Sequence, residues 1–370
     1  MKTNFLKSTA AVLVVLLLAG CGGNGGGEPT AAELFRDSLN ALYPGGFAAE
    51  DGYVTTLKDL TLTGDLSIPS GLTLVVSEGK TLTVDATLDL TGGSLVLMND
   101  ATFTVNGTVN AKACTGQDSY GIVIMPGGTP AATINGSGII HLTSQGHLLI
   151  VQAGQKLTLA GTVTLDGLTT DTMYPGTSTN YPAGIGGDGM NNISPVVMVQ
   201  GELDMQGGTI TGNCNTDDTD NGPHGGGLHV GKNVSDDAAL FTMRSGAVIK
   251  GNKTFRSGAV NVFRGGLFTM KGGVISGNTS TNSSSGAVSV HSELDGDYAD
   301  FIIEGGTVYG TSAGDNTNTP GSLYVATGCT AKWGATSTGI SGGDGGGSQN
   351  GNIISGGTGT TTDTLTATLP

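Results

Sequence analysis

The chain has 370 residues, 66 of them Gly, few charged side chains and a formal net charge of −15. So acidic a balance argues against nucleic acid as a partner and against electrostatic attachment to anionic membranes. Gly, Thr, Ser and Asn in such abundance would suit a disordered chain, but Val, Ile and Leu alternate too regularly for disorder.

Lys2 and Lys7 precede an apolar run, AAVLVVLLL at 10–18, too short to remain as a membrane span. The sequence LAGC at 18–21 resembles the lipobox of bacterial lipoproteins. That resemblance implies cleavage of a signal peptide at 1–20, acylation of Cys21 with palmitate-type chains, and membrane attachment through the lipidated N-terminus. Gly22 stands where enterobacterial inner-membrane lipoproteins carry Asp, so the expected address is the outer membrane or cell surface. A Gly-rich tether follows at 21–29. Residues 30–45 read as one short helix and a probable cap: Thr30 and Glu33 form a capping box, Leu34, Leu39 and Leu42 lie near one face, and Pro44-Gly45 ends it. Beyond about Tyr53 no helix is expected.

The phrase FTMRSGAVIKGN at 241–252 returns as FTMKGGVISGNT at 268–279 and, more loosely, as LDMQGGTITGN at 203–213. Aligned, the copies give apolar columns: Leu203, Phe241, Phe268, Phe301; Met205, Met243, Met270, Ile303; Ile210, Ile249, Ile275, Val308. An Asn column holds Asn213, Asn252 and Asn278, with Thr311 at the fourth place, and Ala247 is one extra residue for a turn to absorb. The strands ahead of each phrase align as Leu228, Val260, Val288, Leu323 and Val230, Val262, Val290, Val325, with Val197/Val199 and Leu149/Val151 before them. Gly226, Gly258, Gly286 and Gly321 precede these strands. Residues 60–109 write a terser version with shorter turns.

Alternation at i, i+2 means strands with one buried face. Units of about 30 residues cannot close a core alone and must stack, like on like. The predicted fold is all-β: a single-stranded parallel β-helix (solenoid) over 46–370, on the order of eleven coils, with the helix as its N-terminal cap. A β-propeller or up-and-down barrel would show longer, more regular periods. The segments ISGNTSTNSSSGAVSV (275–290) and IKGNKTFRSGAVNV (249–262) resemble the repeats of chlamydial polymorphic outer-membrane proteins. They are also similar to the right-handed β-helix repeats of bacterial surface lipoproteins. Over about 140–330 the resemblance implies a right-handed, pectin-lyase-like helix, surface exposure and adhesion. No C-terminal autotransporter barrel is recognised, so lipid is the expected anchor.

The outward positions between the buried pairs read Ile150, Met198, His229, Asn261, Ser289 and Tyr324, without a carboxylate. Glycoside hydrolysis ordinarily needs two. NCNTDDTDNGPHGGG at 213–227 is similar to pieces of polygalacturonase motifs, but crowded into one loop and without the basic element that follows them in that family. Asp217, Asp218 and Asp220 read as a solvated acidic turn, and secondarily as a weak calcium site. His224 and His229 read as lone solvent-facing histidines rather than metal ligands. GGDGGGSQNGN (342–352) and GIGGDGMNN (184–192) are similar to calcium-binding nonapeptides but occur singly, so they read as loops. Cys114, Cys214 and Cys329 allow one disulfide with a spare thiol or three lone thiols.

The inserted loop at 168–195 carries Tyr174, Tyr181 and Met190, a set suited to a sugar or protein partner. A tolerated insertion fits it equally. HSELDGDYAD at 291–300 is a second excursion that shares its face if the register allows. The expectation is a monomeric, lipid-anchored envelope protein without catalysis or cofactor, adhesin-like, binding a polysaccharide or a host or neighbour-cell protein. The alternative is a polysaccharide lyase or glycoside hydrolase of the pectin-lyase-like class.

Overall fold

The computed structural model describes residues 28–50, 52–114, 121–124, 130–168, 192, 194–215, 224–231, 239–281, 285–291, 299–311, 314–326, 329–334, 351–355, 359–361 and 365–367. Among them Ala31–Leu42 is the one α-helix. The Thr30 hydroxyl accepts from the Glu33 N–H at 3.2 Å, and the Glu33 carboxylate accepts from the Thr30 N–H at 2.7 Å. This is the capping box that the spacing predicts. The buried stripe is Ala32, Phe35 and Leu39, rather than Leu34, Leu39 and Leu42. The Phe35 ring takes the inward place, and Leu42 is left 51 % exposed. The helix packs on the antiparallel hairpin of Phe47–Glu50 with Tyr53–Thr56 and covers the first coil, whose end would otherwise be an open edge.

From Tyr53 the chain runs through three faces per circuit. Four parallel strands open the first face: Tyr53–Thr56, Thr73–Val76, Ser94–Leu97 and Ile122–Ile124. Six continue it: Leu149–Val151, Val197–Val199, Leu228–Val230, Val260–Phe263, Val288–His291 and Leu323–Val325. Where the two runs meet, Gln155 Nε2 donates to the Ile124 carbonyl at 2.9 Å. The second and third faces share one 19-stranded sheet. The molecule is therefore all-β, a parallel solenoid of the β-helix type. Four and six strands on the first face make ten coils among the described residues, one fewer than the repeat length predicts, because long connections consume the difference.

The predicted columns are the observed registers. Leu203 pairs with Phe241, Phe241 with Phe268 and Phe268 with Phe301, and the Met and Ile columns follow in the same ladders. Phe241 and Phe268 stack at 4.6 Å between centroids, and Phe268 and Phe301 at 4.8 Å, the distance set by strand spacing. Early coils are tighter: Val54, Leu74 and Leu95 are in register, which sets about 20 residues per coil, the lower limit for stacked repeats. Ala247, the extra residue, is buried in the turn, and its N–H donates to the Arg244 carbonyl at 3.1 Å.

The Asn column is longer than expected and ends differently. Asn192, Asn213, Asn252, Asn278 and Asn318 are all fully buried at the corner between the third and first faces. Asn278 Nδ2 donates to Asn318 Oδ1 at 3.0 Å and to the Ile249 carbonyl at 3.1 Å, and Asn278 Oδ1 accepts from the Asn252 backbone N–H at 3.0 Å. Thr311 is exposed and outside the ladder. The longer 309–322 connection carries Asn318 into the place that equal spacing would give Thr311.

At the far end Gly359–Thr361, Gly351–Ser355 and Leu365–Ala367 pair antiparallel with Leu323–Val325, Thr330–Trp333 and the end of Asp300–Val308. The last coil thus has its edges occupied. Cys114, Cys214 and Cys329 are buried and are not paired with one another in disulfides.

Two substitutions test the ladders. Phe268→Ala opens a cavity inside the stack and costs about 3–5 kcal/mol. Asn278→Ala leaves the Asn252 N–H and the Ile249 carbonyl without these partners, at about 1–3 kcal/mol each. Solenoids need not unfold in one step, so the readout is amide exchange. Protection should fall first in Val260–Phe263 and Val288–His291; unchanged protection there would refute a structural role for the amide ladder.

Candidate functional site

The connections are unequal around the circuit. Between the second and third faces they are turns of a few residues, and in Gly266–Ser276 and Asp300–Val308 one strand runs through the corner without a break. Six long segments, 112–121, 167–196, 216–227, 231–238, 292–299 and 309–322, border the first face, while a seventh, 334–350, joins Thr330–Trp333 to Gly351–Ser355 in the 19-stranded sheet. Extended connections on a rigid scaffold are where recognition concentrates, and six of these seven lie beside one sheet.

Cys21, the loop residues Tyr174, Tyr181 and Met190, and the acidic residues Asp217, Asp218 and Asp220 lie outside the described residues. The points where their segments attach are described. Asn192 lies near the end of the 168–195 insertion, and its N–H donates to the Cys214 carbonyl at 2.8 Å, next to the residue that precedes the acidic segment. Both segments therefore enter the first face on adjacent coils, ahead of Val197–Val199 and Leu228–Val230. The 291–300 excursion leaves the same face at its opposite edge, after Val288–His291. Among the described residues no cluster of three or more His, Cys, Asp or Glu could hold a metal.

The outward row of the first face has the register read from sequence: Ile150, Met198, His229, Asn261, Ser289 and Tyr324 are successive partners. Its surroundings differ from the expectation. His229 is not solvent-facing: it is 2 % exposed, and Asn261 and Ser289 are 0 % exposed, although all three point away from the core. Strand alternation reveals which way a side chain points, but not whether that side is covered.

Phe263 and His291, two positions after Asn261 and Ser289, form a second outward row, legible from the same alternation but unweighed beforehand. The Phe263 ring lies 5.8 Å from that of His229, and His291 lies 4.9 Å from Tyr324. Arg264 sits over the Phe263 ring at 5.2 Å. On the coil before, this second row is empty, because Gly231 has φ +153° and a Cβ there would meet the Phe263 carbonyl at 2.2 Å.

The hydrogen bonding of the first row is incomplete. His229 Nδ1 is 3.1 Å from the His224 carbonyl and 3.2 Å from the Asn261 amide. His229 Nε2, Asn261 Oδ1, Ser289 Oγ and His291 Nε2 are buried without a hydrogen-bond partner. Burial pushes His229 down to about 4, with the backbone bond to His224 opposing and the neighbouring His147, His224 and His291 adding to the fall. Burial likewise holds His291 and His147 at about 4. At neutral pH the row is a set of uncharged imidazole, amide, hydroxyl and phenol groups, suited to hydrogen bonding and without paired carboxylates for glycoside hydrolysis.

A pH dependence follows. Each of these histidines has a folded pKa near 4 and an ordinary unfolded value of about 6.5. Between those values the unfolded chain binds more protons, so stability is fully present above about 6.5 and falls as pH drops toward 4. The slope is about 1.4 kcal/mol per pH unit per histidine. Urea midpoints measured from pH 7 to 4 should fall, and His229→Gln should flatten the fall; an unchanged slope in that variant would contradict the buried neutral assignment. The chain matches no family model, no curated protein and no solved structure.

Proposed function

We propose that this chain is a lipid-anchored, right-handed β-helix of the bacterial cell envelope that binds an external ligand through its first face and carries out no reaction. The gathering of six of the seven long connections around one sheet carries this reading, because extended connections on a rigid scaffold are where recognition residues collect. Right-handedness follows the strong general preference of crossovers between parallel strands. The LAGC sequence at 18–21 supports the lipid anchor, and the acidic charge disfavours nucleic acid as ligand. The uncharged outward row supports recognition over glycoside cleavage. A polysaccharide or a surface protein of a host or neighbouring cell fits such a face, and no cofactor is required.

Two measurements test it. Cys21→Ser, expressed in a bacterial host, should lose palmitate labelling and move from the membrane to the soluble fraction; continued membrane attachment would remove the lipid anchor from the reading. The full chain in detergent, incubated with acidic and neutral polysaccharides with and without calcium, should retain one of them and release no new sugar ends. Deleting 170–190 should weaken retention at least tenfold. New sugar ends would establish an enzyme instead.

A further inference from the structure

We infer that the buried row His229, Asn261 and Ser289, flanked by His291, is the subsite that holds one neutral, hydroxyl-rich sugar unit of that ligand. This rests on the first-face reading above and gives it a chemistry. A carbonyl can only accept, so the contact between His229 Nδ1 and the His224 carbonyl places the ring proton on Nδ1. His229 Nε2 is then a bare lone pair, buried and unpartnered. With the proton on Nδ1, the Asn261 amide on the next coil must turn its oxygen to that N–H, and its Nδ2 then takes the position that has no partner. Ser289, one coil further, has an unpartnered hydroxyl, and His291 Nε2 lies beside it in the same condition.

Native proteins rarely leave neighbouring buried polar atoms unpaired. Here four occur on three consecutive coils, all on the outside of the solenoid, where core packing does not require them. An occupant that satisfies them must present hydroxyl groups spaced over successive strands, about 4.8 Å apart. Apolar edges are also provided for: Phe263 borders the row beside His229, and the His291 and Tyr324 rings border it at the other end. A sugar ring offers that combination of hydroxyls and C–H faces. The row itself contributes no charge to balance an anion or a cation, and burying a charge without a counter-charge is costly. Arg264 stands at the border, over the Phe263 ring, so neutrality is assigned to the unit seated on the row's own uncharged atoms.

The test uses the full-length lipidated chain in detergent micelles, labelled with 15N at histidine, and titrated with neutral gluco-, manno- and galacto-oligosaccharides and with oligogalacturonate. One neutral series should shift the His229 Nε2 resonance while Nδ1 stays protonated. Ser289→Ala and Asn261→Ala should each weaken that series at least tenfold, with amide protection in Val260–Phe263 retained as the check on folding. Binding of a neutral series that both variants keep at full strength would overturn the subsite but leave the first-face reading, provided that deleting 170–190 abolishes it. Preference for oligogalacturonate would overturn the neutral assignment. If no oligosaccharide moves the His229 signal, the row is hydrated and the inference fails. Retention of a surface protein in the same assay would then decide the broader reading.

Discussion

The amide ladder at the corner between the third and first faces is the constraint from which the rest of the architecture follows. The 167–196, 216–227 and 309–322 connections leave the circuit at that corner, where a solenoid is most exposed to losing its register. From Asn192 to Asn318 the side-chain amides bond both to each other and to the backbone of adjacent coils. They supply partners to N–H and carbonyl groups that a wide corner would leave unpaired. With register held there, a connection can lengthen from a turn to more than twenty residues while the next strand still lands over its predecessor. Were these positions apolar, each excursion would leave backbone groups buried and unbonded, and the coils would have reason to slip.

Register in turn determines the two kinds of column. Inside, equal residues fall on equal residues, so Phe241, Phe268 and Phe301 form one continuous stack. Outside, the same arithmetic gathers His229, Asn261 and Ser289 into a line although about thirty residues separate each from the next. Proximity of these groups is therefore a property of the repeat, and it requires no local motif. Their burial is a separate matter, since it depends on what stands on either side of the row.

These two sources explain what could be read in the sequence. The inner columns, the capping box and the order of the outward row were legible because each is a periodicity or a fixed spacing. Phe35 displaced Leu34 from the helix stripe because ring size against the first hairpin decided between neighbouring positions, and helical spacing alone does not contain that comparison. Asn318 was missed for a related reason: alignment by equal spacing points to Thr311, whereas hydrogen-bond demand at the corner selects the amide wherever the longer connection can bring it. The enclosure of His229 had no signature at all in its own strand. A period-two pattern distinguishes inward from outward, and outward is ordinarily exposed; here the outward side chain is buried.

The direction of the polar row has a further consequence. It runs along the axis of the rod, one side chain per coil, and each coil is bound mainly to the two beside it. Duplication or loss of a coil would change the length of the row by one step and leave the chemistry of every other step intact. Reach along a ligand would thus be set by copy number, as a ruler gains a division, while the identity of each division could change by single substitutions that never touch the core.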